Sequence, residues 1–159
     1  MAYVIFDLDH TVICSKHRHS TLPCGSLDLA HWRENSTAEM IAKDGLLPLA
    51  NAMRAIYAVG HTVVICTARV MSEHDVAFLD THGLKYHALL SRDGENDNRR
   101  DAQLKIDLLR DYFEREGTTI FQARPIMFDD NLSVIDAVRR EGVICIDATK
   151  ENARYARRV

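Results

Sequence analysis

Asp7 and Asp9 stand two residues apart, directly after the apolar run Val4-Ile5-Phe6, in the segment Asp7-Leu8-Asp9-His10-Thr11-Val12. Side chains two apart on an extended chain share a face, so a buried strand ending this way aims two carboxylates into one small space. Like charges that close repel, and they persist together only with a cation or a shared proton between them. Magnesium and phosphate chemistry meets that requirement, because Mg²⁺ takes oxygen ligands and polarises phosphoryl oxygens.

Three later segments carry matching chemistry. Val63-Val64-Ile65-Cys66-Thr67 is an apolar strand that ends in a hydroxyl, followed by Ala68 and Arg69. The Thr67 hydroxyl and nearby backbone N–H groups are donors for phosphate oxygens, and Arg69 adds a cation beside them. Lys105 lies four residues after Asp101, early on an expected helix and on the same face of it. A cation there neutralises crowded carboxylates and phosphate. Lys85 is the rival, but it precedes a strand and so falls at the opposite edge of a parallel sheet. Finally, Ile126-Met127-Phe128 leads into a second acidic pair, Asp129-Asp130, and then Asn131.

In this order the four segments resemble the motifs of the haloacid dehalogenase superfamily of phosphotransferases, and the resemblance covers nearly the whole chain. It implies Mg²⁺-dependent hydrolysis of a phosphomonoester through an aspartyl-phosphate on Asp7. Such covalent catalysis splits one difficult displacement into two easier ones. By the same resemblance Asp9 is the general acid and then the base for water. Thr67 and Lys105 complete the catalytic set, and Thr11 shapes the turn and approaches the substrate. The implied metal ligands are Asp7, Asp9 through its backbone carbonyl, Asp129 and Asp130. Order separates this pattern from a response-regulator receiver domain, whose acidic pair comes early and whose lysine comes last. Here Lys105 precedes the second pair.

The segment 91–101 is polar and dense in charge, with Arg92, Arg99 and Arg100 among its residues. With Thr67-Ala68-Arg69 and the final Asp-Asp, it is similar to the phosphatase domain of bacteriophage-type polynucleotide kinase/phosphatases. No GxxxxGK[ST] loop occurs, so a kinase half is not expected. The resemblance implies a nucleotide phosphate or a phosphorylated polynucleotide end as substrate, with Arg69, Arg92, Arg99 and Arg100 as contacts. Sugar phosphates are the alternative within the enzyme class. A non-catalytic nucleotide-binding or regulatory module is the alternative outside it, and the intact carboxylates argue against that.

The elements that must hold these residues alternate. Strands are expected at 3–6, 62–66, 86–90, 125–128 and 143–147, most of them short apolar runs without polar alternation. Helices are expected at 48–59, 72–82, 102–116 and 131–141. Pro48 sits in a first turn, and Gly60, Gly83, Gly117 and Gly142 fall just past helix ends. The pattern predicts an α/β, Rossmann-like parallel sheet of about five strands with helices on both faces. In such sheets ligands bind beyond the carboxyl ends of the strands, where every motif above falls. Residues 13–47 break the rhythm and are expected to form a small cap or flap, with a short helix within 26–34. The whole of 1–159 then reads as one phosphatase domain.

Composition agrees. The 159 residues are 47% hydrophobic and 27% charged, and the net charge of -3 carries no global basic field for long nucleic acid. The four cysteines form no CxxC pair and fit a reducing, cytoplasmic setting. The first strand opens at about residue 3, leaving no room for a signal peptide, and no apolar run approaches membrane-spanning length. Cys14, His17, His19, Cys24 and His31 cluster with loosely metal-like spacing, so a structural Zn²⁺ in the flap is an alternative. Trp32 either packs the flap onto the body or stacks on a base.

Overall fold

Strand β1 (Tyr3–Phe6) leads into the 13–47 insert, which holds short strands β2 (Ile13–Cys14) and β3 (Gly45–Leu46) and helices α1 (Leu29–Glu34) and α2 (Ala38–Ile41). The chain then alternates through α3 (Leu49–Ala58), β4 (Thr62–Val70), α4 (Glu73–Thr81), β5 (Ala88–Arg92) and α5 (Asp101–Arg115). It closes with α6 (Ile120–Ala123), β6 (Ile126–Asp129), α7 (Leu132–Arg140), β7 (Ile144–Asp147) and α8 (Ala148–Ala156). This computed structural model describes residues 1–157.

Five strands pair in the order β5-β4-β1-β6-β7, all parallel. Side-chain alternation on β1 explains why both faces must be covered. Val4 and Phe6 join the core formed with Met53 of α3 and Phe78 of α4, while Ile5 joins the core formed with Phe113 of α5 and Val138 of α7. A strand buried on both faces has no polar side, as its sequence indicates. The expected α/β sheet with helices on both faces is the observed one.

Three differences have local causes. Strand β4 runs on to Val70, past the expected end at 66, because an irregularity between Cys66 and Val70 lets Val70 pair with Arg92 of β5. Helix α8 was not anticipated. It buries only Ala148 and Asn152, so it has no apolar period to read, and its start is set by the Asp147 side chain accepting from Lys150 N. Helix α6 has one turn and is too short for a periodic signal. The four glycines expected at helix ends all take positive φ there.

The insert leaves and rejoins the body at one place. Ile13 pairs with Leu46 and Cys14 with Gly45, antiparallel, so residues 15–44 form a closed excursion at the carboxyl end of β1. The short helix expected within 26–34 is α1, whose N-cap Asp28 accepts from His31 N.

Candidate active site

The chain runs from β1 to β4 and β5 on one side, then crosses back to β6 and β7 on the other, which opens a crevice at the carboxyl end of β1. Register decides what meets there. Phe6 lies opposite Ile65 and Phe128, so Asp7 is level with Cys66 and Asp129. Asp7 N continues the ladder to Phe128 O at 3.0 Å.

Lys105 arrives from the second turn of α5. Its Nζ lies 2.7 Å from Asp7 Oδ1 and 2.7 Å from Asp129 Oδ2. All three side chains are buried. Asp130 completes the group, since one carboxylate oxygen from each of Asp7, Asp129 and Asp130 falls within 4.8 Å of the others. Three carboxylates face one ammonium, and the surplus charge is felt. Burial pushes Asp7 up to about 7, with Lys105 pulling against it and Asp129 adding to it. Burial raises Asp129 as well, and it pushes Asp130 up to about 6 with help from Asp7. Lys105 is driven the other way by burial, but Asp7 and Asp129 outweigh that and hold its proton firmly. A buried, all-oxygen donor set with uncompensated negative charge fits a hard divalent cation such as Mg²⁺.

The turn after β1 is tightly held. Leu8 O accepts from Thr11 N, Val12 N and Ile13 N, and His10 between them takes φ 58°. Thr11 is buried within this turn, with Oγ1 3.5 Å from Asp7 Oδ2. Asn152 of α8 bridges this turn to the body: its Nδ2 donates to Thr11 O, and its Oδ1 accepts from Leu49 N at the start of α3.

Asp9 belongs to a second network. Its Oδ1 accepts from Arg69 Nη2 at 2.6 Å and from Ser15 Oγ at 2.6 Å, and its Oδ2 accepts from Arg69 Nε at 3.1 Å. Arg69 Nη1 donates to Asp75, which also closes the capping box of α4 with Ser72. Burial alone would raise Asp9, but the Arg69 guanidinium and its hydrogen bonds hold the carboxylate down at about 2. Thr67 is buried beside it, its Oγ1 accepting from Arg69 N at 3.2 Å. Beyond Arg69 lies Asp44 of the insert, gripped by Arg18 at 2.9 and 2.7 Å. Arg18 is fully buried, with its guanidinium 4.2 Å from the centre of the Trp32 ring.

The arginines of the loop before α5 are mostly committed to the loop itself. Arg92 donates to Ala68 O, Asp97 O, Arg99 O and Asp101, and so braces the end of β4 against the start of α5. Arg99 pairs with Asp97 at 2.6 Å and with Asp107 at 3.0 Å. Both border a cleft of about 690 Å³ that also reaches Asp7, Asp9, Thr67, Arg69, Lys105 and Asp130. Arg100 is the exposed N-cap residue of α5 and lies outside that lining. The metal-like cluster of the insert does not assemble. Among the described residues only Asp7, Asp129 and Asp130 form a three-ligand group, and Cys24 is exposed beside Ser26.

Sequence reasoning missed Asp44, Asp75 and Asn152. Each is a single polar residue in an ordinary-looking segment, and only its burial marks it. By residue type alone Arg18 belongs at the surface. Its aliphatic stem and planar head are instead absorbed by Trp32 and Asp44.

Comparison with known proteins gives the family and the fold. The family model described as bacteriophage T5 5′-deoxynucleotidase matches residues 1–156. The chain belongs to that family. The 5′-deoxynucleotidase of Escherichia phage T5 is 29% identical over 94% of this chain and 68% of its own length. A chain of the Pnkp1/Rnl/Hen1 RNA repair complex superposes with a TM-score of 0.69 at 25% identity, over 92% of this chain. This chain spans only 42% of that larger one. A haloacid dehalogenase-like hydrolase, SP0104 from Streptococcus pneumoniae, superposes with a TM-score of 0.67 at 12% identity, over 96% of this chain and 90% of its own. The fold is that of the haloacid dehalogenase hydrolases, and the protein is an enzyme of the phosphatase kind. No helix among the described residues is long and apolar enough to cross a membrane.

Proposed function

We propose that this phosphatase hydrolyses nucleotide phosphomonoesters, 5′-deoxynucleoside monophosphates first, with Mg²⁺ and through an aspartyl-phosphate on Asp7. The observation that carries the reading is Lys105 bridging Asp7 and Asp129 at 2.7 Å each inside a group of three carboxylates. That arrangement leaves one carboxylate aimed at the cleft, a fixed ammonium beside it and surplus charge for a divalent ion. The match of residues 1–156 to the phage T5 5′-deoxynucleotidase family supports the nucleotide. The likeness to the RNA repair chain supports a second reading, a phosphorylated polynucleotide end.

In this account Asp7, Asp129, Asp130 and the backbone carbonyl of Asp9 would hold Mg²⁺. The ion would supply charge stabilisation for the phosphoryl oxygens. An Asp7 oxygen attacks phosphorus as the ester P–O bond breaks, and Asp9 delivers a proton to the departing oxygen. Asp9 then takes a proton from water, the water oxygen attacks phosphorus, and the Asp7–phosphorus bond breaks to give inorganic phosphate. Lys105 pulls Asp7 towards its ionised form, and Thr67 donates to a phosphoryl oxygen. The grip of Arg69 on Asp9 adds one requirement. Asp9 can carry the proton only once the incoming phosphate draws the guanidinium away, and that same movement brings Arg69 to the phosphate. Residues 13–47 act as the small flap over this end of a single domain.

The test is phosphate release in Mg²⁺ from 5′- and 3′-deoxynucleotides, a 3′-phosphorylated oligonucleotide and several sugar phosphates. The 5′-deoxynucleotides are expected to lead. Preference for the oligonucleotide would establish end processing instead, and release from sugar phosphates alone would sink the nucleotide reading.

A further inference from the structure

The cleft is polar at Asp7 and Lys105, but part of its wall is apolar. Leu27 and Leu29 from the insert and Val70 and Met71 from the end of β4 border the same cleft as Asp7 and Lys105. Leu29 is 57% exposed, Val70 40% and Leu27 38%, so all three belong to the exposed large hydrophobics of the described residues. We propose that this apolar wall receives the nucleobase of the substrate. The inference rests on the nucleotide reading above and adds where the base lies.

Trp32 would be the obvious platform for a base, yet its ring is already engaged. The Arg18 guanidinium sits over it at 4.2 Å, and the His19 ring meets it edge-on at 5.1 Å. The tryptophan therefore packs on the buried Arg18–Asp44 pair within the insert and leaves base contact to the aliphatic residues of the cleft. The cleft volume of about 690 Å³ is far more than a phosphoryl group needs and suits a whole small molecule. A polyhydroxylated sugar phosphate would leave this wall wet or bury its hydroxyls without partners. A base presents a broad apolar face that covers the wall and removes its surface from water. The nearest charged pair, Arg33 with Glu95 at 3.7 Å, links α1 to the loop before α5 and satisfies itself. Recognition here is by area and not by a fixed pattern of donors, so purines and pyrimidines are both accepted.

The experiment compares kcat/KM for deoxyadenosine 5′-monophosphate (dAMP) and for deoxyribose 5-phosphate in wild type, Leu29→Asp and Leu29→Ala. Leu29 opens α1 and is mostly exposed, and an acidic residue suits a helix N-terminus, so the fold tolerates both changes. The ratio of the two kcat/KM values is expected to fall about 10-fold in Leu29→Asp. It should fall less in Leu29→Ala, with the change carried by KM for dAMP. An unchanged ratio in both variants overturns the inference, and so does equal loss on both substrates. A wild type that prefers deoxyribose 5-phosphate overturns it too, while one that releases nothing from dAMP overturns the nucleotide reading itself.

Discussion

Two charged networks meet at the end of β1, and they are built on opposite principles. Around Asp7, three carboxylates share one lysine, and burial lifts Asp7 to about 7 and Asp130 to about 6. Around Asp9, two arginines serve three carboxylates and leave each with a guanidinium partner: Arg69 grips Asp9 and Asp75, and Arg18 grips Asp44. There the carboxylate of Asp9 is held at about 2. One network is short of positive charge and the other is satisfied. On the proposed reading, the chain leaves its larger deficit where an ion and a phosphoryl group would arrive, and it stiffens the surroundings with arginine–carboxylate pairs.

The largest effect should come from Asp7→Asn. Removing the attacking carboxylate is expected to cost about 10⁴-fold or more in kcat. The same change relieves the deficit, so the metal-free variant should melt above the wild type. Calorimetry beside a phosphate assay checks both, and a variant that melts lower would contradict the deficit.

Lys105→Met deepens the deficit by removing the one cation bonded to Asp7 and Asp129. Breaking a buried pair from one side costs about 3–5 kcal/mol. Denaturant unfolding should find that loss at pH 8 and a smaller one at pH 5, where protons replace the missing ammonium.

Mg²⁺ gives the next largest effect. Asp7 and Asp130 bind protons more tightly folded than unfolded, where their carboxyls keep the ordinary 3.8. Their contribution to stability is therefore present below about pH 4 and is lost as pH rises through 6 and 7. Mg²⁺ should restore it, by about 2.7 kcal/mol at a hundred times Kd. Thermal melts with and without Mg²⁺ at pH 5 and pH 8 should show the larger gain at pH 8.

Arg69→Lys probes the satisfied side. The contribution of Asp9 is present above pH 3.8 and lost as pH falls towards 2. Lysine cannot reproduce the two-pronged grip, and a loss of about 2 kcal/mol at neutral pH is expected. Acid titration of the variant should find a weaker dependence below pH 4. Smallest of all is Arg99→Ala. Its ion pairs with Asp97 and Asp107 lie at the surface, where such pairs contribute little. The unfolding midpoint should stay at the wild-type value.

The deficient network was legible in the sequence, and most of the satisfied one was not. Asp7, Lys105 and Asp129 each end a strand or open a helix beside an apolar run, so topology alone brings them together. The five strands and the four long helices followed from the same runs, while the strand order did not. Asp44 and the buried Arg18 carry no such marker, because their pairing depends on how the 13–47 excursion folds back, and Asp75 is a plain first-turn acid of α4 until Arg69 turns to it. Arg92 was legible as a charge but not as a brace, since its partners are backbone carbonyls that no side-chain pattern announces. Helix α8 stayed hidden behind its polar composition, although Asn152 on it fixes the Thr11 turn.

The central claim is that Asp7 is the nucleophile of a cluster completed by a divalent ion. Its most direct test is the rate of phosphate release from dAMP across a Mg²⁺ titration, for wild type and Asp7→Asn side by side. The account predicts release that rises with Mg²⁺, stops in EDTA and is absent from Asp7→Asn at every concentration. Release indifferent to Mg²⁺, or retained by Asp7→Asn, would contradict it.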